Sequence, residues 1–184
     1  LTKGEWEVTN VYGYDKKGGK VYFQGAKESP LKREIYRVSL DRSKLEKLST
    51  KPGTNSASFS KSFKYFINTN SKLNEPSFIS LHRADGKAIR TLVDNQALRD
   101  RMKAFEISPA NFFSVKTENG ELAGSMIKPK DFDENKKYPV LMYVYGGPGS
   151  QTVRDSWGGP NYFWYQMLAS KGYIVVSVDN RGTG

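Results

Sequence analysis

Cysteine is absent from the sequence, histidine occurs once, and there is no long hydrophobic run. Without cysteine, disulfides, thiol nucleophiles and cysteine-ligated metals are excluded, although this absence fits a cytosolic protein as well as a periplasmic one. No stretch approaches the roughly 20 apolar residues that cross a bilayer, so we expect no membrane segment in these residues. A single histidine, His82, and carboxylates without calcium-loop spacing lead us to expect no metal and no cofactor.

Signals of secretion are also missing from the first residues. The chain begins at Leu1 rather than Met, and residues 1–7 contain no apolar core of the length that a signal peptide needs. The composition is that of an ordinary globular protein, with 37% hydrophobic, 13% aromatic and 26% charged residues. We therefore expect a folded part of a protein whose natural N-terminus lies further upstream.

The positive charge is distributed unevenly. The formal net charge is +10, and the whole excess lies in residues 1–105, because basic and acidic residues balance in residues 106–184. In the first part the lysines and arginines are spaced singly along alternating segments, which is typical of solvated outer faces rather than of a groove that follows phosphates. We expect no nucleic-acid partner.

Short alternating apolar runs separated by Gly, Pro, Asn and Ser fill the sequence before Phe105 and predict brief antiparallel strands. The region also matches itself, since Lys20–Phe23 aligns with Lys64–Ile67 and Ile35 with Ile79. A period of about 40 to 50 residues with three or four strands per unit is typical of a β-propeller blade, and a meandering sheet with chance spacing is the alternative. The predicted strands are Val8–Tyr14, Lys20–Gln24, Ile35–Val38, Lys64–Asn68 and Phe78–Leu81.

The pattern changes near Phe105. Residues 95–103 predict a short helix or an ordered linker, and Asn119-Gly120 between two apolar segments predicts a β-hairpin. Val140–Tyr145 and Tyr173–Val178 are continuous apolar runs, which are typical of strands buried on both faces, and a segment with helical spacing separates them. The order strand, helix, strand predicts a right-handed parallel crossover.

Three motifs follow one another in this second part. The first, Tyr138–Gln151, reads Tyr-Pro, an apolar strand, Tyr-Gly-Gly-Pro, and then Gly-Ser-Gln. The second, Leu168–Ser170, precedes a Gly-Tyr pair, and the third, Asp179–Gly184, reads Asp-Asn-Arg-Gly-Thr-Gly. In order and spacing these motifs resemble the dipeptidyl peptidase IV group of the prolyl oligopeptidase family of serine peptidases. The resemblance covers residues 106–184 well.

The resemblance implies a mixed fold in which β-propeller blades precede an α/β-hydrolase domain. Residues 1–104 would be the C-terminal part of the propeller, about two blades, and residues 105–184 the first part of the catalytic domain, truncated before the nucleophile. The family releases N-terminal dipeptides or tripeptides, often after Pro or Ala, by acyl-enzyme chemistry. The resemblance therefore implies a serine peptidase that acts on peptides with a free N-terminus, and a fragment that is inactive because it lacks the Ser-Asp-His triad.

Tyr145 is the candidate catalytic residue. It ends an apolar run and precedes Gly146-Gly147-Pro148, which corresponds to the loop after the third hydrolase strand, where one oxyanion donor is supplied. In the family the matching tyrosine offers its phenol hydroxyl to the oxyanion. The glycines allow the loop to turn sharply close to the substrate. Without the motif, Tyr145 would be interpreted as a strand aromatic like Tyr143.

Five other residues are further candidates for the site. Asp179 and Arg181 follow a strand where active-site loops gather in parallel sheets, but in hydrolases the triad acid follows the serine, so we expect them to hold the loop. We expect Trp157 to line the substrate cavity or to pack the helix. Ser150 lacks the flanking glycines of a nucleophile elbow, and His82 lies in the blade-like part, so neither fits the triad.

Specificity, assembly and compartment are not fixed by these residues. The paired glutamates with which the family reads the substrate N-terminus have no counterpart here, so dipeptidyl and tripeptidyl release stay open. The resemblance is compatible with a homodimeric parent and favours a periplasmic or other extracytoplasmic location. The alternatives are a catalytically dead scaffold, and an esterase-like hydrolase, which would normally show His-Gly-Gly in place of Tyr145-Gly146-Gly147.

Overall fold

The computed structural model describes residues 1–41 and 44–183. These residues form twelve strands and two helices, and the strands make three four-stranded sheets. The chain is therefore mostly β, as the sequence predicts. Neither of the described helices has the length and apolar character needed to cross a membrane.

The first sheet is an antiparallel meander in chain order, and two of its strands are buried on both faces. Its strands are β1 (Val8–Asp15), β2 (Lys20–Gly25), β3 (Glu34–Ser39) and β4 (Leu45–Lys47). Successive side chains of a strand point to opposite faces, so neighbours in β2 enter different cores. Tyr22 packs against Ile35 on one face, whereas Phe23 stacks on Tyr36 and Trp6 on the other.

The second sheet repeats this architecture. It contains β5 (Thr54–Phe59), β6 (Tyr65–Lys72), β7 (Glu75–Arg83) and β8 (Ala88–Val93), again in chain order. Since β6 occupies the place of β2 and β7 the place of β3, the internal repeat is confirmed. Ile35 and Phe66, which are 0% and 1% exposed, belong to the apolar core between the two sheets. The two sheets do not close into a ring.

A buried polar cluster lies beside this apolar core. Asn55 Nδ2 donates to Glu34 Oε2 at 3.0 Å, and Asn55 Oδ1 accepts from the amides of Asn68 and Asn70, both at 3.1 Å. Ser49 donates its hydroxyl to the same Glu34 carboxylate. Burial raises the pKa of the Glu34 carboxyl. Polar side chains thus occupy core positions of β5 and β6.

The helix and the hairpin expected near residue 105 are both present. Helix α1 (Gln96–Met102) falls within the predicted residues 95–103. Strands β9 (Asn111–Thr117) and β10 (Gly120–Ile127) pair antiparallel, which confirms the hairpin. Gly120, at φ 119°, supplies the positive φ that the turn requires.

The third sheet is mixed. Strand β11 (Val140–Met142) leads through helix α2 (Pro160–Ser170) to β12 (Ile174–Val178), and the sheet order is β11-β12-β10-β9. β11 and β12 are parallel, as predicted, whereas β12 and β9 both run antiparallel to β10. Ala169 of α2 packs on Ile127 and Val175 to form the small core under this sheet.

One prediction about the third sheet is wrong. The sequence predicts Val140–Tyr145 as a strand buried on both faces, but regular pairing ends at Met142, and Val140 and Met142 are 58% and 57% exposed. Among the described residues β11 is an edge strand with β12 as its single neighbour. Val140 and Met142 lie on the face of the sheet opposite to Leu141, which packs against the core that contains Ala169 of α2. A strand buried on both faces needs such a layer on its other face as well.

Candidate active site

Tyr145 lies just beyond the end of the parallel strand pair. Two hydrogen bonds extend the pairing of β11 past its last residue: Tyr143 N–H donates to Val176 O at 2.9 Å, and Ser177 Oγ donates to Tyr143 O at 2.6 Å. Tyr145 is 58% exposed, so its phenol hydroxyl is open to a reacting group. A phenol is a hydrogen-bond donor at neutral pH.

The loop after Tyr145 depends on glycine. Gly146 and Gly149 have φ of 76° and 85°, in the left-handed region that side chains with a Cβ rarely adopt. A Cβ on Gly147 would lie 3.3 Å from Cε1 of Tyr145, so the tyrosine ring stands close to this residue. Pro148 is exposed at the turn. The backbone therefore turns sharply beside the tyrosine, and the role of these residues in supporting the loop or a substrate cavity stays a prediction.

A cavity of about 430 Å³ lies beside Tyr145. Trp157 forms part of its wall and packs on Tyr162, with ring centroids 4.3 Å apart. Tyr165, another wall residue, is half-buried, and burial raises the pKa of both Tyr162 and Tyr165. These phenols therefore stay neutral and make this part of the wall aromatic, whereas Arg154 brings a positive charge to the same cavity.

Asp179, at the end of β12, holds the segment that follows the glycine loop. Its Oδ1 accepts from the N–H and the hydroxyl of Thr152 at 2.9 and 2.5 Å, and its Oδ2 accepts from the Val153 N–H at 2.9 Å. Asp179 is 9% exposed. All of these partners belong to the loop, so the carboxylate is occupied in fixing backbone.

Arg181 and the rest of the third motif lie at a different cavity. Arg181 is exposed and contributes to the wall of a space of about 490 Å³ between the loop after β12, the β9–β10 hairpin and the first residues of the chain. Its backbone carbonyl accepts from Asn180 Nδ2 at 2.9 Å. Gly184, the last residue of the motif, lies outside the described residues.

The segment that Asp179 holds also contacts the first two sheets. Arg33 Nη2 donates to Gln151 Oε1 at 2.8 Å, and Gln151 Nε2 donates to Pro30 O at 2.9 Å. Further along, Asp155 N–H donates to Leu31 O at 2.8 Å, and Asp155 Oδ1 accepts from the Leu73 N–H at 3.0 Å. Residues 151–155 are thus fixed to all three sheets.

Of the two residues that do not fit the triad, His82 lies away from this site, whereas Ser150 contributes to the wall of the cavity beside Tyr145. His82 is buried in the second sheet, where it stacks on Phe66 at 5.0 Å and contacts Ser80 Oγ at 2.7 Å and Gly86 O at 3.1 Å. Ser150 is exposed in the loop after Tyr145. Among the described residues, no cluster of three or more histidines and carboxylates could hold a metal ion.

Sequence reasoning missed the contribution of Arg33 and Gln151. Gln151 ends the first motif, but nothing in the sequence relates it to Arg33, which lies in the blade-like part of the chain. Arg33 is only 6% exposed, and an arginine is rarely buried without partners. The one signal in the sequence is the position of Arg33, which lies between a turn and the alternating strand that follows it.

Comparison with known proteins places the chain among dipeptidyl peptidases. The family model for the dipeptidyl peptidase IV N-terminal region matches residues 1–77. A probable dipeptidyl-aminopeptidase B of Botryotinia fuckeliana is 39% identical over 189 residues, which cover 100% of this chain and 20% of that protein. A dipeptidyl peptidase 4 of Arthroderma otae is 36% identical over 190 residues, with 24% of that protein covered.

A solved structure gives the same result. The crystal structure of Porphyromonas gingivalis dipeptidyl peptidase 4 matches with a TM-score of 0.92 and 45% sequence identity, over 100% of this chain and 26% of that one. The chain thus spans about a fifth to a quarter of the length of these proteins. With the three sequence motifs, these findings show that the chain is dipeptidyl peptidase IV-like over its whole length, and that residues 1–77 match the model of that family's N-terminal region.

Proposed function

We propose that the full-length protein containing this chain is a serine exopeptidase that releases N-terminal dipeptides, and that Tyr145 donates to the oxyanion of its transition state. One observation carries the proposal: Tyr145 stands exposed at the end of β11, beside a glycine turn and a cavity of about 430 Å³. The similarity to proteins named dipeptidyl peptidases over the whole chain supports it.

The chemistry follows from what each group can supply. Acyl transfer builds negative charge on the carbonyl oxygen when the nucleophile attacks, and donors placed for that oxygen stabilise the transition state more than the substrate. A neutral phenol on a fixed strand end provides such a donor without a change of charge. The sequence contains no Gly-x-Ser-x-Gly elbow, so we propose that nucleophile, base and acid come from residues beyond these 184.

The proposed architecture explains the exposed edge of the third sheet. We propose that the first two sheets are blades of a β-propeller and that β9–β12 begin an α/β-hydrolase domain. The side chains of Val140 and Met142, more than half exposed on β11, would then be covered by a further element of the longer protein that packs on their face of the sheet. The greater length of the matched proteins supports this reading.

Substrate selection belongs to the same proposal. The cavity beside Tyr145 is lined in part by Trp157, Tyr162 and Tyr165, an aromatic wall suited to small apolar side chains such as Pro or Ala. A peptide with a free N-terminus would present its second residue there. Release of tripeptides is the alternative, and the length of the released peptide would depend on groups that read the N-terminus.

Hydrolysis of fluorogenic Gly-Pro, Ala-Pro and Ala-Ala-Pro amides tests the proposal. The full-length protein should cleave the two dipeptidyl amides, lose activity after treatment with a serine-directed fluorophosphonate, and cleave the tripeptidyl amide at least tenfold more slowly. The 184-residue chain alone should give no turnover, because it contains no nucleophile elbow. Absence of turnover by the full-length protein would favour a dead scaffold, and serine-type cleavage by the 184-residue chain would contradict the missing nucleophile.

A further inference from the structure

Arg33 lies where the three sheets meet. Its backbone N–H donates to Gly53 O at 3.2 Å, and its carbonyl accepts from the Asn55 N–H at 2.7 Å, so its main chain is joined to the start of the second sheet. Its guanidinium reaches the third sheet through the 2.8 Å hydrogen bond from Nη2 to Gln151 Oε1. This one residue therefore connects both blade-like sheets with the loop that follows Tyr145.

The pairing of Arg33 with Gln151 is geometrically fixed. Arg33 Nη1 donates to Pro30 O at 2.8 Å and to Lys32 O at 2.9 Å, while Gln151 Nε2 donates back to Pro30 O at 2.9 Å. The planar guanidinium and the planar amide are thus oriented by the same turn, residues 30–32. A rigid fork of donors loses little freedom when it forms such bonds.

Burial makes this contact expensive to break. Arg33 is 6% exposed, and burial together with the neighbouring Arg154 guanidinium lowers the pKa of Arg33. Hydrogen bonds from a charged donor are stronger than neutral ones. Removal of the guanidinium would therefore take away the stronger of the two hydrogen bonds that hold the Gln151 side chain and leave only the bond from Nε2 to Pro30 O.

The position of Tyr145 depends on both ends of its loop. On one side Tyr143 is bonded to β12, and on the other Gln151 is bonded to Arg33 and Pro30. Between them Gly146 and Gly149 have open space around the position of a Cβ, and glycine restricts the backbone least of all residues. Packing at the glycines does not fix the loop, so its two anchors must do so.

We propose that Arg33 is a positioning residue for catalysis, which holds the oxyanion donor Tyr145 in place through Gln151. The inference rests on the proposed function, because it assigns Arg33 to the same reaction. It also gives the blade-like part of the chain a role in the chemistry of the third sheet. Misplacement of a catalytic group by about 1 Å costs up to about 100-fold in rate.

A mutant cycle in the full-length protein tests the inference, with the Gly-Pro amide as substrate. Arg33→Met and Gln151→Ala should each lower kcat about 10- to 100-fold with KM changed less than about threefold. The double variant should be no worse than the poorer single variant, because both changes break one contact. Lys32→Met, which removes the same charge one residue earlier and leaves the Arg33–Gln151 bond in place, should keep kcat within about twofold.

The decisive comparison is made in a Tyr145→Phe background. If Arg33 acts through Tyr145, Arg33→Met should lower kcat there by less than about threefold. An equal loss in both backgrounds, or no loss in either, would overturn the inference. If Arg33→Met does not fold, the half-exposed Gln151→Ala variant decides the matter by the same comparison. A Tyr145→Phe protein with unchanged kcat would instead contradict the proposed function, so the two failures are distinguishable.

Discussion

Asp179 shows how one buried carboxylate can be mistaken for a catalytic acid. It follows a parallel strand at the edge where active-site loops gather, yet its two oxygens accept three hydrogen bonds from Thr152 and Val153. Three of the roughly four acceptor sites of this carboxylate are used by the loop, which leaves it little capacity to orient a histidine as well. Its contacts indicate that Asp179 fixes the segment after Gln151.

The loss of this carboxylate should loosen a defined stretch of backbone. Asp179→Ala leaves the buried Val153 N–H without its acceptor, which costs about 1–3 kcal/mol. We expect amide hydrogen exchange in residues 149–158 of the full-length protein to become about 10- to 100-fold faster. Glu134→Ala, which removes an exposed carboxylate, should leave exchange in this stretch unchanged. Unaltered protection in Asp179→Ala would show that the loop is held by other contacts.

The sequence predicted site residues only where they belong to a motif. Tyr145, its glycine loop and the loop-holding role expected of Asp179 follow from local order along the chain. The contact between Arg33 and Gln151 was not predicted, because the two residues are far apart in sequence and each belongs to a segment with a different pattern. A contact between a blade-like sheet and a mixed sheet does not change the hydrophobic periodicity of either segment, so the sequence pattern does not reveal it.

At the scale of elements, the first two sheets are similar because their second and third strands repeat. β2, β3 and β6 carry the aromatic and β-branched residues that fill the cores, and these strands were predicted, as was β7. β5 was missed because Asn55, 0% exposed, takes a core position through hydrogen bonds rather than apolar contact. β4 was missed because it has only three residues.

The apolar run Val140–Tyr145 shows the opposite failure. Continuous hydrophobicity predicts burial on both faces, and the pattern carries no information on whether the element that covers the second face belongs to the same 184 residues. The parallel partner, the connecting helix and the hairpin were all predicted because their signals are local: a helical period, a glycine stop and an Asn-Gly turn. The extent of a sheet is a property of the whole chain.

Two glycines of the blade-like sheets differ in what surrounds them, and their substitution by alanine should differ accordingly. Gly19 and Gly53 both have positive φ, 60° and 112°, but a Cβ at Gly19 would meet nothing within 4 Å, whereas one at Gly53 would lie 2.3 Å from Ser71 O. Gly19→Ala should cost about 1 kcal/mol from backbone strain alone. Gly53→Ala should cost about 2 kcal/mol or more, since the β5–β6 backbone must move as well.

Thermal unfolding of the full-length protein measures this difference. The midpoint should fall further for Gly53→Ala than for Gly19→Ala, in a comparison that keeps the substitution constant and changes only the surroundings. Equal midpoints for the two variants would mean that the Ser71 backbone moves without a loss of stability. The pairing of β5 with β6 would then be looser than its register indicates.

At the scale of the whole molecule, the chain contains the proposed oxyanion donor, Tyr145, and the contacts that hold its loop. The basic excess lies in residues 1–105, with the first two sheets, whereas charges balance in the part that carries Tyr145. The third sheet has an exposed apolar edge at β11 and no nucleophile elbow. Activity is therefore expected of a longer protein, in which the anchored loop from Tyr145 to Asp155 would lie between the blades and the remaining catalytic groups.

The central claim is that the Tyr145 hydroxyl serves the transition state, and the kcat of Tyr145→Phe in the full-length protein tests it most directly. Loss of one oxyanion donor should lower kcat about 100- to 1000-fold with KM changed less than about threefold. Tyr143→Phe is the matched control, because Tyr143 is also half exposed beside the same cavity, and its kcat should stay within about twofold of the unchanged protein. An unchanged kcat for Tyr145→Phe, or equal losses for the two variants, would contradict the account.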